Sequence, residues 1–203
     1  MVKNSILLLF FVFLYLSCFP IVHNYDTLTI KNSKISNIKT DGYYFSKYKL
    51  NKDYHSNKGE FIRMKVLLNN GYFHYVQNGF GKECGDTISI ECAIKMSEYM
   101  LDKNINEFLV DSNDQKRPVV SLWNWGKYEI KGDSIKMQWF YNRFGDYYLA
   151  EENGIVIDST SFKLTTIKDY STGKISTIDE IYQFKPYNIE KIYNKIPTKL
   201  KSK

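Results

Sequence analysis

Histidine and cysteine are scarce in this chain, three of each in 203 residues, and no stretch reads as a linker or an internal repeat. Two cysteines beyond the N-terminal region, Cys84 and Cys92, stand without a nearby histidine, so they do not supply the four ligands of a zinc site. His23 falls in a leader segment, His55 in a polar turn, and His74 on what reads as a solvent face of a hairpin. No metal-protease helix pair, phosphate loop, nucleophile elbow or nucleotide fingerprint is present. The carboxylates Glu83, Asp86, Asp146, Glu151 and Glu152 are scattered, and chain spacing does not place any two of them about 5–10 Å apart as a glycosidase pair requires. The expectation is a non-catalytic protein with no cofactor and no metal. Net charge is also missing from most of the chain. The formal charge is +6, but Lys3 and the five lysines at 191, 195, 199, 201 and 203 carry all of it, leaving residues 18–190 neutral. A pI near 9 is therefore no basic face, and no nucleic-acid partner is expected.

What is present begins at the N-terminus. Lys3 precedes an apolar run from Ile6 to Ser17, followed by Cys18. Twelve helical residues rise about 18 Å against a hydrocarbon core of roughly 30 Å, so the run reads as an export signal and not as a spanning anchor. The stretch Leu14-Tyr15-Leu16-Ser17-Cys18 resembles the cleavage site of a bacterial lipoprotein signal, with Tyr15 standing where that family usually has leucine. The resemblance implies acyl chains on Cys18 and a membrane contact through them. Ordinary cleavage nearby is the alternative. Phe19 after the cysteine, and no acidic run from Cys18 to Tyr25, imply by the same resemblance an outer-membrane lipoprotein of the cell envelope, facing the periplasm. With Cys18 so used, Cys84 and Cys92 remain as an even pair in an oxidising compartment, either bridged across a loop of roughly nine residues or as two free thiols.

The mature body reads as strands, because aromatic and β-branched residues are abundant and turn signals recur. Asn70-Gly71 predicts a two-residue type I′ turn. That turn sets Leu68 opposite Phe73 and Val66 opposite Tyr75, with Ile62, Met64, Val66, Leu68, Phe73 and Tyr75 on a core face and Arg63, Lys65 and His74 on a solvent face. A second hairpin turns at Gly132-Asp133 and pairs Ile130 with Ile135, Tyr128 with Met137, and Gly126 with Trp139, where the missing side chain leaves room for the indole. Its reverse face ends in Trp125 and Phe140, which a helix of the chain, a ligand or a partner must cover. A third pair runs through Phe162, Leu164 and Thr166 and returns through Ile178, Tyr182 and Phe184. Further strands are expected near 27–31, 43–50, 147–150 and 155–157. One helix is expected after an N-cap at Asp86 or Thr87, running to Lys103-Asn104, with a second short helix over 105–110.

The predicted fold class is mainly β, a β-rich α+β chain: an antiparallel up-and-down meander or barrel of about eight or nine strands with one helical insertion at about 86–111. The meander resembles lipocalin-like barrels. The stretches Trp125-Gly126-Lys127-Tyr128-Glu129-Ile130-Lys131-Gly132-Asp133-Ser134-Ile135 and Gly154-Ile155-Val156-Ile157-Asp158-Ser159-Thr160-Ser161-Phe162 resemble small envelope lipoproteins of Bacteroidota. Asp41-Gly42-Tyr43-Tyr44 has tyrosine where lipocalins have tryptophan. The predicted organisation is a signal peptide over 1–17, a tether over 18–37, the β-rich domain over 38–186 and a basic tail over 187–203. The tail reads as a solvated end, although Ile189, Ile192, Ile196 and Leu200 keep near-helical spacing that suits docking on the domain or on a membrane. Thirty-three aromatic residues suit a binding surface as well as a core. The candidate contacts are Tyr43, Tyr44, Trp123, Trp125, Phe140, Tyr147 and Tyr148. Two functions follow: a binding domain for an apolar or amphiphilic small molecule, or a protein-interaction module such as an immunity protein or an accessory subunit of an envelope complex.

Overall fold

The computed structural model describes residues 21–31, 37–54, 57–76, 87–103 and 122–201. Strands β1 (Gly42–Tyr54), β2 (Asn57–Leu67) and β3 (Tyr72–Val76) are followed by the two-residue β4 (Thr87–Ile88) and helix α1 (Ile90–Lys103). Then come β5 (Trp125–Lys131), β6 (Ser134–Arg143), β7 (Asp146–Asp158), β8 (Ser161–Asp169) and β9 (Ile175–Pro186), and the single turns α2 (Glu190–Tyr193) and α3 (Thr198–Lys201). Strand β9 pairs with β8 on one side and with β1 on the other. Eight strands therefore close into an antiparallel, up-and-down barrel, to which β4 adds a parallel pairing with the start of β2. Closure removes the free sheet edges that an open meander would expose.

Alternation along the strands divides the side chains between the barrel interior and its outer wall. Inside, Tyr44, Leu67, Phe73, Tyr128, Ile135, Met137, Phe162, Leu164 and Tyr182 form one buried cluster. Outside, Ile62, Met64 and Val66 of β2 and Leu68 just after it join Tyr43, Tyr72, Trp125, Phe140 and Leu149 in a second cluster beneath Ala93 and Leu101 of α1. Apolar residues at helical spacing give α1 the buried stripe that seals this wall. Glu98 of α1 accepts hydrogen bonds from Tyr43 Oη and Lys185 Nζ, each at 2.7 Å, and so fixes the helix over the β1–β9 seam.

The second hairpin has the predicted pairing throughout, Gly126 with Trp139, Tyr128 with Met137 and Ile130 with Ile135. Gly132 has φ +58° at the first turn position, as a type II′ turn requires. A Cβ on Gly126 would lie 2.2 Å from the Gln138 carbonyl oxygen and 2.7 Å from Trp139 Cβ. Gly126→Ala is therefore expected to destabilise the barrel by about 1–3 kcal/mol, the usual range for overpacking, readable as a lower urea midpoint. An unchanged midpoint would show that the neighbouring strand gives way freely.

The first hairpin differs from its predicted register. Leu67 pairs with Phe73, Val66 with His74 and Lys65 with Tyr75, one residue off the expected set. The cause is the turn. The Leu68 N–H donates to the Tyr72 carbonyl and the Gly71 N–H to the Leu68 carbonyl, with Gly71 at φ +82°. This is a three-residue connection ending in a left-handed glycine, not a two-residue type I′ turn. A one-residue slip exchanges faces, so Phe73 and Tyr75 share the inner face with Arg63 and Lys65, and His74 lies buried outside against Trp125.

Other expectations shift for equally local reasons. Ser89, rather than Asp86 or Thr87, caps α1, its Oγ accepting from the Cys92 N–H at 3.3 Å. Strand β7 runs unbroken through both segments predicted for it, with an irregularity at Asn153/Gly154. Residues 27–31 form no strand. The expected tether over 18–37 is, from Ile21 to Lys31, laid along the outer wall: Val22 bridges Tyr147, Tyr25 stacks on Phe140 at 6.0 Å, and Gln138 Oε1 accepts from the Thr29 N–H at 3.0 Å. The basic tail is no solvated end either, because Ile189, Ile192, Ile196 and Leu200 are all buried in the outer cluster. The second predicted helix lies outside the described residues.

Candidate functional site

The barrel has two unlike ends. At the end marked by the turns Gly132-Asp133 and Ser159-Thr160, the interior is filled. Tyr44 is fully buried, its hydroxyl donating to the carbonyls of Lys39 and Ser159 at 3.0 and 3.1 Å, and Phe162 stacks on Tyr182 at 4.9 Å. Ile38 closes this end.

Charge begins half-way up the interior. Lys65 is fully buried and its Nζ donates to Glu152 Oε2 at 2.7 Å. The ammonium also lies 4.8 Å from the centroid of Tyr75, 5.3 Å from Tyr182 and 5.8 Å from both Phe73 and Trp139. Aromatic faces are negative at their centres, so these rings stabilise the cation that Glu152 pairs. One turn of the pleat higher, Arg63 bonds Glu180 and stacks over Tyr48 at 4.6 Å.

At the opposite end the inward residues are only half-buried. Tyr75 stacks on Trp139 at 5.1 Å, Trp139 meets Tyr141 at 6.0 Å, Tyr141 meets Tyr148 at 6.0 Å, and Tyr148 stacks on His23 at 4.5 Å. These rings form a continuous aromatic band from the buried ion pairs to the rim. Their hydrogen bonds hold them in place: Tyr141 Oη donates to Asp169 at 2.7 Å and meets Ser171 Oγ at 3.1 Å. Asp146 accepts from the Ile21 N–H at 2.9 Å and from His23 at 3.2 Å. The Ile21 amide, then His23, keeps the Asp146 carboxyl below the usual carboxylate range. Burial pushes the Tyr75 hydroxyl up to about 12, so it is a neutral donor and acceptor at physiological pH. The Trp139 indole N–H has no hydrogen-bond partner among the described residues.

Of the seven aromatic residues singled out in the sequence, only Tyr148 stands in this mouth. Tyr44 belongs to the filled end. Tyr43, Trp125, Phe140 and Tyr147 lie on the outer wall, buried by α1, the N-terminal segment and the C-terminal turns. Trp123 is half-buried beside them, bridging Phe140. The chain itself therefore covers the face of Trp125 and Phe140 that was expected to need a cover. Sequence reading missed Tyr48, Tyr75, Trp139, Tyr141 and the two ion pairs. The signal for Trp139 and Tyr141 was available, since the correct second hairpin sets Trp139 in line with the inward Tyr128 and Met137.

A groove of about 420 Å³ lies outside the β1–β9 seam, where pairing is confined to Gly42–Phe45 with Gln183–Pro186. Phe45, Ser46, Lys47, Asp179, Ile181 and Gln183 line it. Cys92 is disulfide-bonded, and its expected partner Cys84 lies outside the described residues, as do Cys18, His55 and Glu83. Among the described residues, no group of three or more histidine, cysteine or acidic side chains is placed to hold a metal ion, and nothing positively indicates catalysis. No helix among them is long and apolar enough to cross a membrane. No protein-family model, curated protein or solved structure matches the chain.

Proposed function

We propose that the chain is an exported cell-envelope lipoprotein, held by acyl chains on Cys18 at the outer membrane and facing the periplasm, whose barrel mouth binds an apolar or amphiphilic small molecule without transforming it. The observation that carries the reading is the band of inward yet half-exposed rings, Tyr75, Trp139, Tyr141 and Tyr148. At the other end the inward residues are fully buried; here each ring keeps part of its surface exposed. Aromatic walls with a few fixed polar groups are the usual make-up of a small-molecule site. An apolar chain gains by covering the rings, and a polar head has Arg63, Glu180 and Tyr141 to meet.

Titration of the protein with cis-parinaric acid, a fluorescent fatty acid excited by energy transfer from tryptophan, tests this. Saturable binding at one molecule per chain is expected, weakened at least severalfold by Tyr148→Ser and by Trp139→Leu. Tyr43→Phe, on the outer wall, should leave it unchanged. Binding that is non-saturable, or equally weakened by all three substitutions, would sink the mouth as the site.

A further inference from the structure

We infer that the open rim of the barrel rests against a lipid bilayer, so that the aromatic mouth opens onto the membrane and not onto bulk solvent. The inference builds on the acylation of Cys18 proposed above. Ile21 is fixed at the rim: its N–H donates to Asp146 Oδ1, and its carbonyl accepts from the Tyr147 N–H at 2.8 Å. Asp146 and Tyr147 open β7, directly after the Phe144-Gly145 turn. Three residues of extended chain span at most about 11 Å. Acyl chains on Cys18 therefore root within about that distance of Ile21, beside the mouth and at the far end from the filled floor.

The surface at this end suits such a seat. Phe144 is 96% exposed at the tip of the β6–β7 turn, held there with φ +54°. Ile175 is 65% and Ile21 57% exposed. A bulky apolar ring projecting into water is unfavourable, and that cost is removed if the ring enters a bilayer interface. Arg143, whose guanidinium sits 5.7 Å from the Phe144 ring centroid, and Lys174 are placed to meet lipid phosphates. Among the described residues, the rim carboxylates Asp146 and Asp169 are already committed to hydrogen bonds. The turns at the filled end, Gly132-Asp133 and Ser159-Thr160, are polar, with Asp158 bonded to Thr160. Of the other exposed apolar residues described, Tyr99 lies on α1 and Ile181 on the β9 wall, whereas Ile155 and Ile157, 49% and 53% exposed, lie on β7 beside the filled-end turns, well short of the 96% of Phe144.

The test uses the protein purified from its own envelope and reconstituted in vesicles of phosphatidylethanolamine and phosphatidylglycerol. An environment-sensitive fluorophore is placed on Phe144→Cys, or on Thr160→Cys at the other end, and quenched with spin-labelled lipid. Severalfold stronger quenching at 144 than at 160 is expected. Equal quenching, or stronger quenching at 160, overturns the proposed seat. Intact mass separates the two layers of the argument: with the acyl mass present on Cys18, such a result removes the rim contact alone. Absence of that mass overturns the anchor and, with it, this orientation.

Discussion

Lys65→Met is expected to lower the stability of the barrel by about 3–5 kcal/mol, the usual loss when one partner of a buried ion pair is removed. Lys65 is fully buried and Glu152 nearly so, with 2.7 Å between their charged atoms. Without the ammonium, Glu152 is left with a desolvated charge that must be protonated or drag water into the interior. The double substitution Lys65→Met with Glu152→Leu removes both charges and is expected to recover most of the loss, because a pair replaced together by apolar groups of similar volume is often near neutral. Urea denaturation of the two variants, with slopes compared to confirm unchanged compactness, decides the matter. The exposed pair Lys131–Glu129 at 2.9 Å provides the scale: breaking it should cost at most about 1 kcal/mol. A Lys65 effect no larger than that would mean that the interior pair is effectively in water.

Acidification from pH 7 to pH 4 is expected to remove about 3 kcal/mol of stability through His74 alone. Burial pushes this imidazole down to about 4, opposed only by a backbone contact at Asn124. The unfolded chain binds its proton near pH 6.5, whereas the folded chain resists until about pH 4. The unfolded state thus holds more protons across that window, and stability is complete above it and lost as pH falls through it. His74→Phe keeps the ring contact with Trp125 while deleting the titration. Subtracting the stability profile of this variant from that of the parent isolates the histidine from the carboxylates. A difference that stays flat between pH 7 and pH 4 would show that His74 is solvated or already charged in the folded barrel.

The fold was largely legible because it is written in nearest-neighbour chemistry. Gly126 opposite Trp139, the turn at Gly132 and the alternation along β6 settle a register without reference to the rest of the chain. The mouth was less legible, and the reason sits at Gly71. Asn70-Gly71 is compatible with both a two-residue and a three-residue turn, and the choice between them is made by what the flanking strands bury. Both faces of the first hairpin are buried here, one inside the barrel and one beneath α1. Apolar residues on β2 therefore did not identify the inside, and Arg63 and Lys65, which read as solvent residues, are the ones that reach inward. The same two-sided burial misdirected the search for binding residues: Trp125 and Phe140 are core residues of the outer wall. The tail misled for a simpler reason. Five lysines set its charge, but four apolar residues among them set its position.

The closing seam has a consequence for the order of events after synthesis. Strand β1 meets its final neighbour only when β9, more than half the chain away, has been made. The hairpins β5–β6, β6–β7 and β7–β8 join adjacent segments and can form early, whereas the seam and the C-terminal turns that pack on the outer wall must come last. Pairings this distant place the domain among slow folders, with relaxation expected on the order of milliseconds to seconds. A nascent chain halted before Ile175 retains an unclosed sheet with two free edges, an adhesive intermediate that persists until β9 is made and closes the seam.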